Sequence, residues 1–284
     1  MTDIRLLTPQ DQPRLENFLR AHVAETMILR GNLAHGGIQD GTQSYQGRYA
    51  GAFEGGRIIG VAAHYWQGML AVFAPGHAGA VAKAAVSNRA VAGILGPWQQ
   101  ALDAQEALAL DDRYRTLRSK EVLMALNLGD LRQPPPLPNQ ALTCRLATPA
   151  DLELLTEWRI AFTKETLGGT PSQATAEHCR AEVERWVAEG SQFLLLDGAH
   201  AVAGCCFNAR LPDAVQVGNV WTPPQFRSRR YGRAVVAGAL ASARSEGASL
   251  AILFTPTDHE AAKTAYAALG FTAIGDYAIL LFKQ

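Results

Sequence analysis

The stretch IRLLTPQDQPRLENFLRAHVAET, residues 4–26, returns at 144–166 as CRLATPADLELLTEWRIAFTKET. Arg5 and Arg145, Leu6 and Leu146, Thr8 and Thr148, Pro9 and Pro149, Asp11 and Asp151, and Leu15 and Leu155 all share one offset of 140 residues, the spacing of Arg5 from Arg145. Ungapped agreement of this kind marks an internal duplication, so the chain has to fold twice into one plan. Its 284 residues suit that plan, being long for one core and comfortable for two. A second correspondence, VAGILGPWQQALDAQEALAL at 91–110 with LAILFTPTDHEAAKTAYAAL at 250–269, extends the repeat towards the end of each copy. Between the copies lies LRQPPPLPNQAL, whose prolines withhold backbone donors and favour a stiff extended connector. The expected domains are therefore 1–131 and 143–284, joined by a linker over 132–142.

Each copy opens with a short strand followed by Thr-Pro-x-Asp, in which threonine suits the N-cap, proline the first helical position and the acid the helix dipole. In the second copy TAEHCRAEVERWVAEG reads as an amphipathic helix. QFLLLD, AVAGCCFNAR and AVQVGNVWTPP read as strands. A helix is expected from Tyr231 to Glu246, then strand SLAILFT, helix DHEAAKTAYAAL closed by Gly270, and final strands within FTAIGDYAILLF. This succession describes an α+β fold in which each domain is a mixed, mostly antiparallel sheet flanked by helices.

Composition narrows the function. Lys plus Arg equals Asp plus Glu, 26 of each, which argues against a basic nucleic-acid binder. The start of the chain lacks the basic and apolar stretches of a secretory signal, and no run reaches a membrane span, so the expectation is a cytoplasmic protein without a membrane partner. Cys144, Cys179, Cys205 and Cys206 form no CxxC pair with histidine spacing, so no metal site and no disulfide framework is expected. Cys205 and Cys206 are strand neighbours pointing to opposite faces, which makes poor material for a thiol nucleophile.

Against that neutral background, QFRSRRYGRAVV at 225–236 stands out. It follows an apolar strand and two prolines and leads directly into a helix. A helix start offers free amides and a positive dipole end, and arginines add charge-assisted bonds, so the turn suits a phosphate or pyrophosphate. It lacks the GK[ST] ending of a nucleotide P-loop. Arg227 to Gly232 resembles the glycine signature of the GNAT superfamily of acetyl-coenzyme A dependent N-acetyltransferases, and HEAAKTAYAALGF resembles that family's last helical segment, with Ala262, Tyr266, Gly270 and Phe271 in place. Arg230 replaces a usual glycine and His259 a usual asparagine.

The resemblance implies two GNAT-like domains, of which the second binds acetyl-CoA and the first, lacking the arginines and an equivalent of Tyr266, is degenerate. It further implies that Val220, Trp221 and Thr222 face the pantetheine arm and that the amides of Arg229, Arg230, Tyr231, Gly232 and Arg233, with Arg227 and Ser228 beside them, hold the pyrophosphate. Tyr266 is the candidate general acid. Glu165 and His259 are candidate bases, although Thr257 and Glu260 are expected to form a capping box around His259, and Asn219 with water could relay the proton instead. The expected partners are acetyl-CoA and a primary amine attacking directly in a ternary complex, with no nucleic acid, and with an oligomer compatible with the sequence. The competing reading is a non-catalytic coenzyme-binding sensor or interaction module. Acceptor choice is expected to depend on the loop around LGGTPSQ.

Overall fold

A computed structural model describes residues 2–134, 141–166 and 173–283. Most of the proline-rich connector and of LGGTPSQ lies outside these residues. The chain forms two compact units, Met1–Leu123 together with Ile274–Gln284, and Met124–Ala273.

The first unit contains β1 (Asp3–Leu6), α1 (Gln12–Ala21), α2 (Val23–Gly36), β2 (Gly47–Glu54), β3 (Arg57–Tyr65), β4 (Met69–Phe73), α3 (Ala78–Val86), β5 (Gly93–Pro97), α4 (Trp98–Ala107) and the first part of β6 (Arg115–Asn127). Its sheet runs β1-β2-β3-β4-β5, with β4 and β5 parallel and the earlier pairs antiparallel. Strand alternation sends Tyr49, Val61, Ala63 and Phe73 to one face, beneath Leu15, Leu19, Leu29 and Leu33 of α1 and α2. The opposite face carries Ala50, Ala52 and Ala62, small enough for Val81, Ala82 and Ala85 of α3 to pack closely on them.

The second unit repeats the order with β7 (Leu142–Leu146), α5 (Leu152–Thr166), α6 (Gln173–Ala188), β8 (Gln192–Asp197), β9 (His200–Arg210), β10 (Ala214–Trp221), α7 (Tyr231–Ser245), β11 (Leu250–Pro256) and α8 (Glu260–Leu269). Its sheet runs β11-β10-β9-β8-β7, again with one parallel pair, β10 with β11. Leu155, Val183, Trp186, Leu194 and Cys206 form the core under α5 and α6. Both units are thus mixed sheets flanked by helices, the α+β class expected.

The duplication is visible down to single hydrogen bonds. Arg5 grips Asp11 with two bonds of 2.8 and 2.7 Å, and Asp11 also accepts from the Thr8 amide at 2.9 Å. Arg145 grips Asp151 at 2.8 and 2.9 Å, with the Thr148 amide at 2.8 Å. In both copies Thr-Pro-x-Asp forms a short 3-10 turn with a reciprocal threonine–aspartate box just ahead of the α-helix.

The sequence reading differs from the structure at the last segment. FTAIGDYAILLF is one strand, β12 (Thr272–Phe282), and it pairs antiparallel with β5 from Tyr277 opposite Pro97 to Leu281 opposite Gly93. It therefore completes the first unit, where Ala278, Leu280 and Phe282 join the core shared with α3 and α4. Periodicity finds the strand but cannot choose which sheet edge it joins.

Candidate functional site

In the second unit β10 pairs with β11 only over residues 214–216 and 250–252. Beyond Gln216, β10 continues along β9 alone, with register shifts on either side of Gly218, and Asn219 adopts a φ of +47°. The strands part here, so the backbone of Val220 and Trp221 has no β11 partner. Unpaired strand edges of this kind offer amides and carbonyls to an extended ligand.

The arginine turn continues from this point. A 3-10 turn, Pro224–Phe226, is followed by Ser228 at φ 62° and Arg230 at φ 65°, both left-handed, before α7 begins at Tyr231. Alternation of this kind turns successive amides into a common concavity. Among the described residues, the amides of Ser228, Arg229, Arg230, Gly232 and Arg233 donate to no backbone or side-chain acceptor, and no side chain caps α7. A Cβ on Gly232 would meet only Thr222 Oγ1 at 3.4 Å and Val220 Cγ1 at 3.9 Å, ordinary contact distances. Gly232 is therefore not required by the packing of the protein itself; what it leaves open is the space above Val220 and Thr222. Arg230, at a position where the resembled signature usually has glycine, and Ser228 two residues earlier both carry side chains on left-handed backbone, which costs each roughly 1 kcal/mol.

The side chains divide into two sets. Arg227 donates to Glu165 at 2.8 Å and to the Thr222 carbonyl at 3.1 Å, with its guanidinium 5.0 Å from the Trp221 ring centroid. Tyr231, fully buried, donates its phenol to Asp197 at 2.8 Å, and Arg229 bonds the same phenol. Burial and then the Asp197 carboxylate raise this phenol's pKa above its usual value, so it stays a donor. Asp197 was missed in the sequence; its place before the Gly198 turn, at φ 60°, was the available signal. Arg230 and Arg233 form no ion pair or hydrogen bond among the described residues, and Arg233 Nε is buried without a partner.

The candidate reacting groups are not gathered together. Glu165, in the last turn of α5, is held by Arg227. His259 is the N-cap of α8, its Nδ1 accepting from the Ala262 amide at 3.3 Å. The capping box expected from Thr257 and Glu260 is not formed: the imidazole of His259 caps the helix, while Lys263 takes the Thr257 carbonyl at 2.6 Å and pairs with Glu260. Tyr266 packs edge-on against Phe271, with ring centroids 6.0 Å apart. Burial first, and the neighbouring Cys205 thiol second, drive its pKa well up, so it holds its proton. Its hydroxyl has no hydrogen-bond partner among the described residues. Cys205 and Cys206 do point apart, Cys205 towards the Val235 carbonyl at 3.8 Å and Cys206 towards Asn208 at 3.4 Å. Among the described residues no group of three or more histidine, cysteine or acidic side chains could hold a metal, and no helix is long and apolar enough to cross a membrane.

The equivalent place in the first unit is closed. Beyond the paired rungs of β4 and β5, a Cβ on Gly96 would lie 2.5 Å from the Val72 carbonyl oxygen, so the two backbones stay together. The Ala74 amide is taken by Gln100 Oε1 at 2.6 Å. At the start of α3, a Cβ on Gly79 would lie 2.7 Å from Ala107 Cβ in α4, whereas a Cβ on Gly232 would meet nothing nearer than 3.4 Å.

Residues 154–271 match the acetyltransferase (GNAT) family. Among solved structures, the chain is similar to a Drosophila protein (12% identity, 98% of each chain, TM-score 0.68). It is also similar to a GCN5-related N-acetyltransferase from Sphaerobacter thermophilus (17% identity, 98% of this chain and 94% of that one, TM-score 0.59). A tandem GNAT protein from the clavulanic acid biosynthesis pathway has 12% identity over 99% of this chain and 97% of its own, with a TM-score of 0.58. At such identities these likenesses concern the fold. No curated protein matches the chain.

Proposed function

We propose that the second unit is an acetyl-CoA dependent N-acetyltransferase acting on a primary amine by direct attack in a ternary complex. The single observation that carries this reading is the set of amides of Ser228, Arg229, Arg230, Gly232 and Arg233, unbonded among the described residues, beside an opened strand edge, with no side chain at Gly232 over Thr222. Phosphate oxygens fit such donors because they accept several N–H bonds at once and lie at the positive end of α7. Arg230 and Arg233, having no protein partner among the described residues, add charge to the same grip. Val220 and Trp221 offer their edge to the amides of a pantetheine arm. Bound there, acetyl-CoA supplies an activated acetyl thioester.

The remaining work falls to few groups. Tyr266 keeps its proton at neutral pH and serves as the donor to a departing thiolate. Glu165 and His259 are engaged with Arg227 and with the α8 amide, which favours loss of the amine proton to water near Asn219 over a dedicated carboxylate. The first unit, closed by Gln100, Gly96 and Gly79, binds no coenzyme in this reading. Isothermal titration of the full chain with acetyl-CoA should give one saturable site per chain, and Gly232→Val should weaken it at least tenfold while leaving the melting temperature within a few degrees. Unchanged affinity in the variant would remove the basis of the proposal. Coenzyme binding without thiol release across an amine panel would favour the sensor reading instead.

A further inference from the structure

The first unit contains a second group of polar side chains that the acetyl-transfer reading does not use. Arg48 on β2 and His64 on β3 are directly opposite one another, on the face that carries Ala50, Ala52 and Ala62 beneath α3. His64 is 5% exposed, and its Nε2 bonds the Ala90 carbonyl at 2.9 Å, just beyond α3. That bond makes Nε2 the protonated nitrogen of a neutral ring and leaves Nδ1 as an acceptor. Nδ1 is buried and has no partner. Arg48 Nε, a donor, is likewise buried and without a partner, and Arg48 makes no ion pair among the described residues. Arg89, from the loop after α3, and Asp40, from the loop after α2, form a half-exposed bidentate pair at 2.7 and 2.8 Å. His64 feels Arg89, Asp40 and Arg48 electrostatically, so the four groups share one neighbourhood.

Orphaned buried polar groups are uncommon, and each asks for an explanation. One molecule that accepts from Arg48 and donates to His64 Nδ1 would satisfy both orphans. Water can do this, but it leaves the excess positive charge of two arginines against one aspartate unanswered. A phosphate that retains a proton answers all three demands: its P–OH donates to Nδ1, its anionic oxygens accept from Arg48, and Arg89 lies at the rim to accept a share of the charge. Sulfate carries the same charge and shape without the proton at neutral pH, and so lacks the donor that Nδ1 requires.

We propose that Arg48, His64 and Arg89 form a binding site for a protonated phosphate group in the first unit, with Asp40 as the internal carboxylate that a phosphate partly displaces from Arg89. The proposal does not depend on the acetyltransferase reading of the second unit, since every residue in it belongs to the first. No bond is made or broken in it.

The test uses the full chain with 15N-labelled histidine, which separates this site from any phosphate held by the arginine turn. The His64 resonances, assigned by their loss in His64→Gln, should show an unprotonated Nδ1 that shifts saturably as inorganic phosphate is added at pH 7.5. Phosphate should bind at least tenfold more tightly than sulfate, and Arg48→Gln should weaken it at least tenfold. Arg48→Lys, which keeps the charge without the Nε donor, should weaken phosphate and sulfate together and leave the preference between them intact, because that preference rests on His64 Nδ1. Glycerol phosphate is titrated in parallel: binding like inorganic phosphate identifies a phosphate monoester as the ligand class, and binding of inorganic phosphate alone identifies the free ion. An Nδ1 that does not respond to either phosphate overturns the proposal and leaves a bridging water. So does an equal response to sulfate, or a response that survives intact in a folded Arg48→Gln protein.

Discussion

Arg230 makes the conflict between backbone strain and the proposed anion binding explicit at the scale of one residue. It caps α7 in a left-handed conformation that costs an L side chain roughly 1 kcal/mol and glycine almost nothing. Arg230→Gly should therefore raise the stability of the unliganded protein by about 1 kcal/mol in denaturant unfolding, while acetyl-CoA affinity measured by titration falls severalfold as the guanidinium is lost. A rise in both would mean that the arginine has no part in anion binding. Asp151 gives a second residue-level expectation, from the duplicated motif. The Arg145 bonds, with the Thr148 amide and hydroxyl, lower its pKa to about 2 from an ordinary 3.8. A lowered folded-state pKa stabilises the protein above the unfolded value, so this contribution is complete above about pH 5 and is lost as pH falls from about 4 towards 2. Asp151→Asn should cost about 2 kcal/mol at pH 7 and only about 0.4 kcal/mol at pH 2, where half of the folded-state carboxylate is still ionised, as read from urea midpoints at the two pH values.

Among the elements, α7 and α8 carry the groups assigned to the proposed acetyl transfer, and the strands beneath them hold the positions. The α7 start is anchored from below by Tyr231, whose buried phenol ties the arginine turn to Asp197 at the end of β8. Asp197→Asn keeps the shape but weakens a charge-assisted bond, and it should reduce acetyl-CoA affinity by about tenfold through a looser turn. Thermal stability, by contrast, should fall by only a few degrees. On α8 the expectation is kinetic. Tyr266→Phe should lower kcat by about 100-fold or more with little change in KM if the hydroxyl donates a proton, whereas a purely structural tyrosine would lose stability and keep kcat. The helix boundaries themselves were legible: Gly247 and Gly270 end α7 and α8 in left-handed conformations, as glycine after a helical run predicts. The cap of α8 was not, because histidine is an unusual N-cap.

For the whole molecule, the division of the chain has a practical consequence. Residues Ile274–Gln284 belong to the same compact unit as Met1–Leu123, and β12 lies against β5 there. A fragment ending at residue 131 lacks that strand and exposes Ile94, Ala278's partners and the β5 edge, so it should be poorly soluble or partly unfolded. Adding residues 274–284 as a separate peptide should restore cooperative unfolding in circular dichroism. A fragment 1–131 that melts cooperatively at the temperature of the full chain would contradict this assignment.

How far the sequence alone reached follows from what is local. The duplication, the strands and helices, the Thr-Pro-x-Asp turns and the arginine-rich helix start depend on neighbours in sequence, on period and on turn chemistry, and they were readable from residues such as Arg5, Asp151, Gly232 and Gly270. The partners were not readable, because they come from distant segments: Asp197 meeting Tyr231, Glu165 meeting Arg227, Gln100 closing over the Ala74 amide, and Arg48 set opposite His64. The sequence also contained the last strand without indicating that it completes the first sheet. A hydrophobic alternation specifies that a strand must be buried on a face, and only the tertiary packing, by offering one unpaired edge that fits its side chains, decides which sheet receives it.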